Sequence, residues 1–142
     1  MSDVVRTLTA PAPVGAYPHA RRIGNLLFLS GVGPREPHTN RVPGNVYDVE
    51  GRLISYDIEQ QCRQVFANVR AVLEASGARW EDLVDVTVFL TDMTHDFPTY
   101  NRLYADYFKG VDACRTTLGI TSLPTPIAIE LKCIAALQPA TD

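Results

Sequence analysis

The chain has little cysteine, little histidine and no long stretch of unbroken hydrophobicity. Its three cysteines, Cys62, Cys114 and Cys133, are odd in number, and none stands at metal-ligand spacing from another. That pattern argues against a disulfide framework and against a metal site. It fits a reduced, cytoplasmic compartment, with the three thiols as buried structural residues. No apolar run approaches the roughly 20 residues that a membrane span needs. The start, Met1-Ser2-Asp3-Val4-Val5-Arg6, lacks the apolar segment of a signal peptide. Positive charge is also in short supply: 13 Lys+Arg stand against 16 Asp+Glu, a net charge of −3. Nucleic-acid binding calls for a clustered basic face, so neither nucleic acid nor membrane is expected as a partner.

What is present reads as one globular domain over residues 1–142, with 46% hydrophobic and 20% charged residues. Two charges stand where charge is expensive. Arg115 opens the apolar run Thr116-Thr117-Leu118-Gly119-Ile120, and Glu130 lies inside Ile127 to Leu137. A buried unpaired ion costs several kcal/mol, so each group is paired, exposed on one face, or waiting for a ligand. An arginine fork fits a carboxylate, and a glutamate held among apolar groups is tuned as an acid/base. Together they point to a small-molecule site for a carboxylated substrate. The plainer alternatives are an ion pair of Arg115 with Asp112, and a cross-strand or inter-subunit salt bridge for Glu130.

The order of elements points to an α+β fold. Val4 to Thr7 and Leu26 to Ser30 read as strands, separated by the proline-stiffened segment Ala10 to Ala16 that delivers Tyr17 and His19. Arg35 to Tyr56 is a long polar loop with two short strands near Asn45-Val46-Tyr47 and Arg52-Leu53-Ile54. Asp57 is placed to cap a helix whose stripe is Ile58, Cys62, Val65, Phe66, Val69, Val72 and Leu73, with Gly77 at its end. Leu83 to Leu90 alternates as a strand. A second helix is predicted to begin near Phe97, with Pro98 in its first turn and Tyr100, Leu103, Tyr104, Tyr107 and Phe108 as its stripe. Two strands complete the chain. The expectation is one mixed sheet with two helices on one face, and self-association to cover the other.

Several segments in this order resemble the RidA family, also called YjgF/YER057c/UK114. They are Pro13-Val14-Gly15-Ala16-Tyr17, Leu27-Phe28-Leu29-Ser30-Gly31, the helix carrying Asn68, and Val88 to Met93. Asn101 with Tyr104 and Phe108, Cys114-Arg115-Thr116-Thr117, Leu123-Pro124 and Ile129-Glu130 follow. The resemblance covers nearly the whole chain. It implies a chorismate-mutase-like fold, a homotrimer or a dimer of trimers, active sites between subunits, and hydrolysis of 2-imino or 2-enamino acids without cofactor or metal. By that resemblance Arg115 holds the substrate carboxylate, Glu130 handles the attacking water, and Tyr17, Ser30, Gly31 and Asn101 complete the pocket. The chain departs from the pattern at Ala113-Cys114, at Gly15-Ala16-Tyr17 and at Lys132, and its 35–56 loop is longer. These departures, with Ala16 to Arg22 and Gly31 to Glu36, are most similar to the 2-aminomuconate deaminase branch of bacterial aromatic degradation. A general 2-iminobutanoate/2-iminopropanoate deaminase and a non-catalytic small-acid-binding or chaperone-like protein are the alternatives. RNA cleavage is disfavoured by the acidic balance.

For a dicarboxylate such as 2-aminomuconate, a buried far end needs a second cation. Arg35, Arg41, Arg52, Arg21, Arg22, His19 and His38 are the candidates, and His19 also titrates near neutrality. If the last two strands form a simple hairpin, Arg115 and Glu130 share a face only when Glu130 lies opposite an odd-numbered residue such as Thr117, which sets them roughly 7 Å apart. Opposite Leu118 they would point apart, and a shared site would need a bulge or a second subunit.

Overall fold

Strand order in this molecule is decided by a β-α-β crossover. The computed structural model describes residues 2–139. Strands β1 (Ser2–Val5), β2 (Ala20–Ile23) and β3 (Leu26–Leu29) precede a short hairpin of β4 (Val46–Tyr47) and β5 (Leu53–Ser55). Helix α1 (Ile58–Ala75), strand β6 (Leu83–Leu90), helix α2 (Met93–Tyr107), and strands β7 (Cys114–Gly119) and β8 (Ile129–Ala136) follow. The six-stranded sheet has the order β1-β2-β3-β8-β6-β7, and β4 and β5 form a separate ribbon. β6 and β7 are parallel, so a crossover must join them, and α2 is that crossover.

This topology corrects the expectation of a closing hairpin. β7 and β8 are not neighbours, because β6 lies between them, parallel to one and antiparallel to the other. β2 is a further strand over residues to which the sequence assigns no element. It pairs with β3 around the two-residue turn Gly24-Asn25, with Ile23 opposite Leu26. The two short strands expected in the long loop are present as β4 and β5.

Both helices lie on one face of the sheet. Val86, Val88 and Leu90 of β6 and Ile129, Leu131, Cys133 and Ala135 of β8 meet Val65, Phe66, Val69 and Leu73 of α1 and Tyr100 and Leu103 of α2 in one core. Each fully buried large aliphatic side chain there contributes about 2 kcal/mol. Asp57 caps α1 by accepting the Gln60 N–H, as its position predicts. At the other end Gly77 takes a left-handed φ of 77°. Its N–H donates to the Glu74 carbonyl while the Ala78 N–H reaches back to that of Leu73, a double closure that glycine makes without strain.

α2 starts one turn earlier than its apolar stripe suggested. Asp92 is the cap, accepting the His95 N–H, and Pro98 sits inside the helix rather than at its start. The aromatic stripe packs as expected, with Tyr104 stacked on Phe108 at 3.9 Å. Of the three cysteines only Cys62 and Cys133 are buried. Cys114, on the edge strand β7, is exposed, which corrects the reading of three core thiols. The opposite sheet face carries no helix, and Val4, Ile23, Leu26 and Leu118 are exposed on it.

Candidate active site

Glu130 lies on β8 opposite Phe89 of β6, on the sheet face away from the helices. It is half-buried, and among the described residues no hydrogen bond or ion pair reaches its carboxylate. Burial alone pushes its pKa above the ordinary carboxyl value. Lys132, two residues along the same face, gives its ammonium to the Leu29 carbonyl instead. Gly31 makes the arrangement possible. A Cβ there would stand 2.8 Å from Glu130 Oε2, so the carboxylate rests against bare backbone.

Around Glu130 is a cleft lined by Val14, Tyr17, Gly31, Gly33, Arg35 and the linker residues Pro124, Thr125 and Ile127. An adjoining cleft shares Tyr17, Gly31, Gly33 and Arg35 and adds His19 and Ser30. Six of the residues predicted for the site, Tyr17, His19, Ser30, Gly31, Arg35 and Glu130, therefore come together. Their polar groups differ in availability. Tyr17 accepts the Val14 N–H at its hydroxyl, 3.2 Å away. Ser30 donates its hydroxyl to the Pro18 carbonyl at 2.7 Å. His19 has both ring nitrogens engaged: Nε2 donates to the Pro11 carbonyl at 2.8 Å, which leaves Nδ1 to accept the Thr7 N–H at 3.3 Å. That histidine ties the Thr7 to Pro11 segment to β2, and both of its nitrogens are already occupied by backbone.

Arg115 and Asn101 stand elsewhere. Arg115 pairs with Val86, so it projects on the helix side of the edge strand β7. Its Nη1 donates to Asn101 Oδ1 at 2.8 Å, and its guanidinium lies 4.8 Å from the ring centre of Tyr104 and 5.4 Å from that of Tyr100. It makes no ion pair among the described residues, so the Asp112 alternative is not realised. The fork is held by neutral groups, and among the described residues no carboxylate compensates its charge. Arg115 and Glu130 thus serve opposite faces of the sheet, and within one chain they do not share a pocket.

Two residues without an assigned role hold the clefts in shape. Asn68, buried on α1, donates through Nδ2 to the carbonyls of Gly33 and Arg35, both at 2.8 Å. Gln61, one heptad earlier, accepts the Ala128 N–H at 2.8 Å and donates to Asn45, whose amide in turn holds the Pro126 carbonyl. Two buried amides seven residues apart on an apolar stripe are the sequence signal that marks them. No cluster of three or more His, Cys, Asp or Glu is placed to hold a metal among the described residues, and no helix there is long and apolar enough to cross a membrane.

Residues 7–137 match the family described as Endoribonuclease L-PSP. The chain is 38% identical over 135 residues to Reactive Intermediate Deaminase A of Arabidopsis thaliana, covering 95% of this chain and 66% of that one. It is 30% identical to a 2-iminobutanoate/2-iminopropanoate deaminase of Dermatophagoides farinae, over 95% of this chain and 96% of the other. The crystal structure of the YjgF gene product of E. coli superposes with a TM-score of 0.80 at 32% identity, covering 96% and 99% of the two chains.

Proposed function

The chain belongs to the RidA (YjgF) family, and on that footing we propose that it is a cofactor-independent deaminase that hydrolyses 2-imino and 2-enamino acids to 2-oxo acids and ammonia. The finer reading is a 2-aminomuconate deaminase acting in the cytoplasm on a dicarboxylic enamine from aromatic breakdown. One observation carries the proposal: Glu130 is a half-buried carboxylate, with no partner among the described residues, lying against Gly31 in a cleft.

The chemistry needs few groups. The imine tautomer is electrophilic at C2. Water adds there while Glu130 takes one of its protons, giving a tetrahedral carbinolamine. Glu130 returns that proton to nitrogen to complete the amine, then carries the proton of the new hydroxyl to the same nitrogen, and the C–N bond breaks so that ammonia leaves as the C2 carbonyl forms. A positioned acid/base of this kind contributes about 10²–10⁴-fold, and fixing substrate and water contributes more. Arg115 binds the C1 carboxylate through its fork, with Asn101 and the two tyrosine rings holding the guanidinium in place.

In this reading Arg115 comes from one subunit and Glu130 from its neighbour in a homotrimer. Two facts support that arrangement. The residues serve opposite sheet faces, and the helix-free face exposes apolar side chains.

Ammonia release from 2-aminomuconate, set beside release from 2-iminopropanoate formed in place, tests the proposal. Turnover of the dicarboxylate with the higher kcat/KM is expected. Faster turnover of the monocarboxylate would instead favour a general imine deaminase, the activity carried in the name of the D. farinae relative. Hydrolysis of neither substrate would end the enzymatic reading.

A further inference from the structure

Resting on the deaminase reading above, we infer that Arg35 is the anchor for the far carboxylate of the substrate and so sets the preference for a dicarboxylic enamine. Arg35 lines the same cleft as Glu130, Tyr17 and Gly31. It is half-buried, and its position is built from three sides. Asn68 holds its backbone carbonyl at 2.8 Å. Its Nη1 donates to Asn40 Oδ1 at 2.8 Å and its Nη2 to the Ala12 carbonyl at 2.7 Å.

Both acceptors of the guanidinium are neutral oxygens. They orient the guanidinium and leave its charge uncompensated, since no carboxylate pairs with it among the described residues. A guanidinium held in a fixed orientation at a cleft, with no anion beside it, is a ready partner for a carboxylate. The guanidinium has five N–H donors, and two are accounted for here. A second carboxylate entering the cleft supplies the missing charge and accepts from the remaining donors.

The other cations do not compete for this role. Arg52 is paired with Asp48 and Glu50 on the exposed loop. His19 has both nitrogens on backbone. Arg21, Arg22, Arg41 and His38 line neither cleft.

The test uses two inert dienes of equal length: muconate, with a carboxylate at each end, and sorbate, with one. Their affinities are measured by calorimetry on the intact protein. Wild type is expected to bind muconate at least about tenfold more tightly than sorbate, the worth of one charge-assisted contact. Arg35→Gln is expected to bring that ratio close to one, and Arg35→Lys to restore part of it, since a lysine keeps the charge and loses the fork. Sorbate binding to each variant reports that the cleft is still formed. A muconate-to-sorbate ratio unchanged in Arg35→Gln would overturn the assignment and leave the deaminase reading standing. Failure of wild type to bind either acid would instead overturn both together. Loss of both ligands in Arg35→Gln and Arg35→Lys alike would make Arg35 a structural strut and refute the anchor.

Discussion

Arg115 and Glu130 project from opposite faces of one sheet, because the β6 residues beside them, Val86 and Phe89, are three positions apart. A substrate that touches both is expected to lie between two copies of the chain. Mixing two crippled variants tests this directly. Arg115→Ala and Glu130→Gln, each nearly inactive alone, are co-expressed in equal amounts. In randomly mixed oligomers about a quarter of the sites combine an intact arginine from one chain with an intact glutamate from the next. Activity near that fraction of wild type is expected. No recovery, with mixed oligomers shown to form, would put the whole site in a single chain.

Glu130→Gln on its own is expected to lower kcat by about 10²–10⁴-fold with little change in substrate affinity. The wild-type pH profile carries the same signature. Burial raises the Glu130 pKa above its ordinary value of 4.5. The ionised base is present above the raised value, so kcat falls as pH drops through it, and the acid limb of the profile sits higher than for an exposed glutamate. Stability runs the other way. Between the unfolded and folded pKa values the native state binds more protons, so stability decreases as pH rises through that interval. Glu130→Gln removes this penalty, and a denaturation midpoint above that of wild type at neutral pH is the expected result. An acid limb that persists in Glu130→Gln would assign it to another group.

Gly31 is predicted to matter for activity more than for folding. An added Cβ would come within 2.8 Å of Glu130 Oε2, the far end of a flexible side chain. The carboxylate would swing aside at small cost, and the water it positions would lose its alignment. Gly31→Ala should therefore lower kcat by about 10²-fold while its thermal unfolding stays close to that of wild type. Full activity in this variant would mean that the carboxylate does not work from its place against Gly31.

Much of this architecture was legible in the sequence, and its gaps have physical causes. Helix α1 was marked by its stripe, its Asp57 cap and its Gly77 terminus, all local signals. The start of α2 is not marked locally, because Asp92 caps it five residues before Phe97, across a turn with little apolar signal, and Pro98 reads as a first-turn residue. β2 was missed because Ala20-Arg21-Arg22-Ile23 shows no clean alternation and gains its pairing from β1 and β3. Arg115 and Glu130 stand out in the sequence as candidates because each places charge in an apolar run. Their separation onto opposite faces did not, because it depends on β6 inserting between β7 and β8, a long-range pairing that no local spacing encodes. Arg35 was one of seven candidate cations. The cleft, the paired state of Arg52 and the occupied ring of His19 singled it out.

Tyr104 offers a test of how the Arg115 platform is built. Its ring stacks on Phe108 at 3.9 Å and lies 4.8 Å from the Arg115 guanidinium, while its buried hydroxyl has no hydrogen-bond partner among the described residues. Burial pushes the phenol pKa upward, so the group stays neutral at every pH at which the protein is handled. An unsatisfied buried hydroxyl costs roughly 1–3 kcal/mol, and removing it leaves the aromatic packing and the cation–π contact in place. Tyr104→Phe is therefore expected to be at least as stable as wild type, by up to about 1 kcal/mol, with KM for the carboxylate substrate nearly unchanged. Tyr104→Leu keeps bulk and loses the ring, and its KM should rise as Arg115 loses its support. Urea denaturation and steady-state kinetics on the two variants read both effects. A clear loss of stability in Tyr104→Phe would mean that the hydroxyl finds a partner in the assembled protein, and equal KM values for the phenylalanine and leucine variants would remove the ring from the positioning of Arg115.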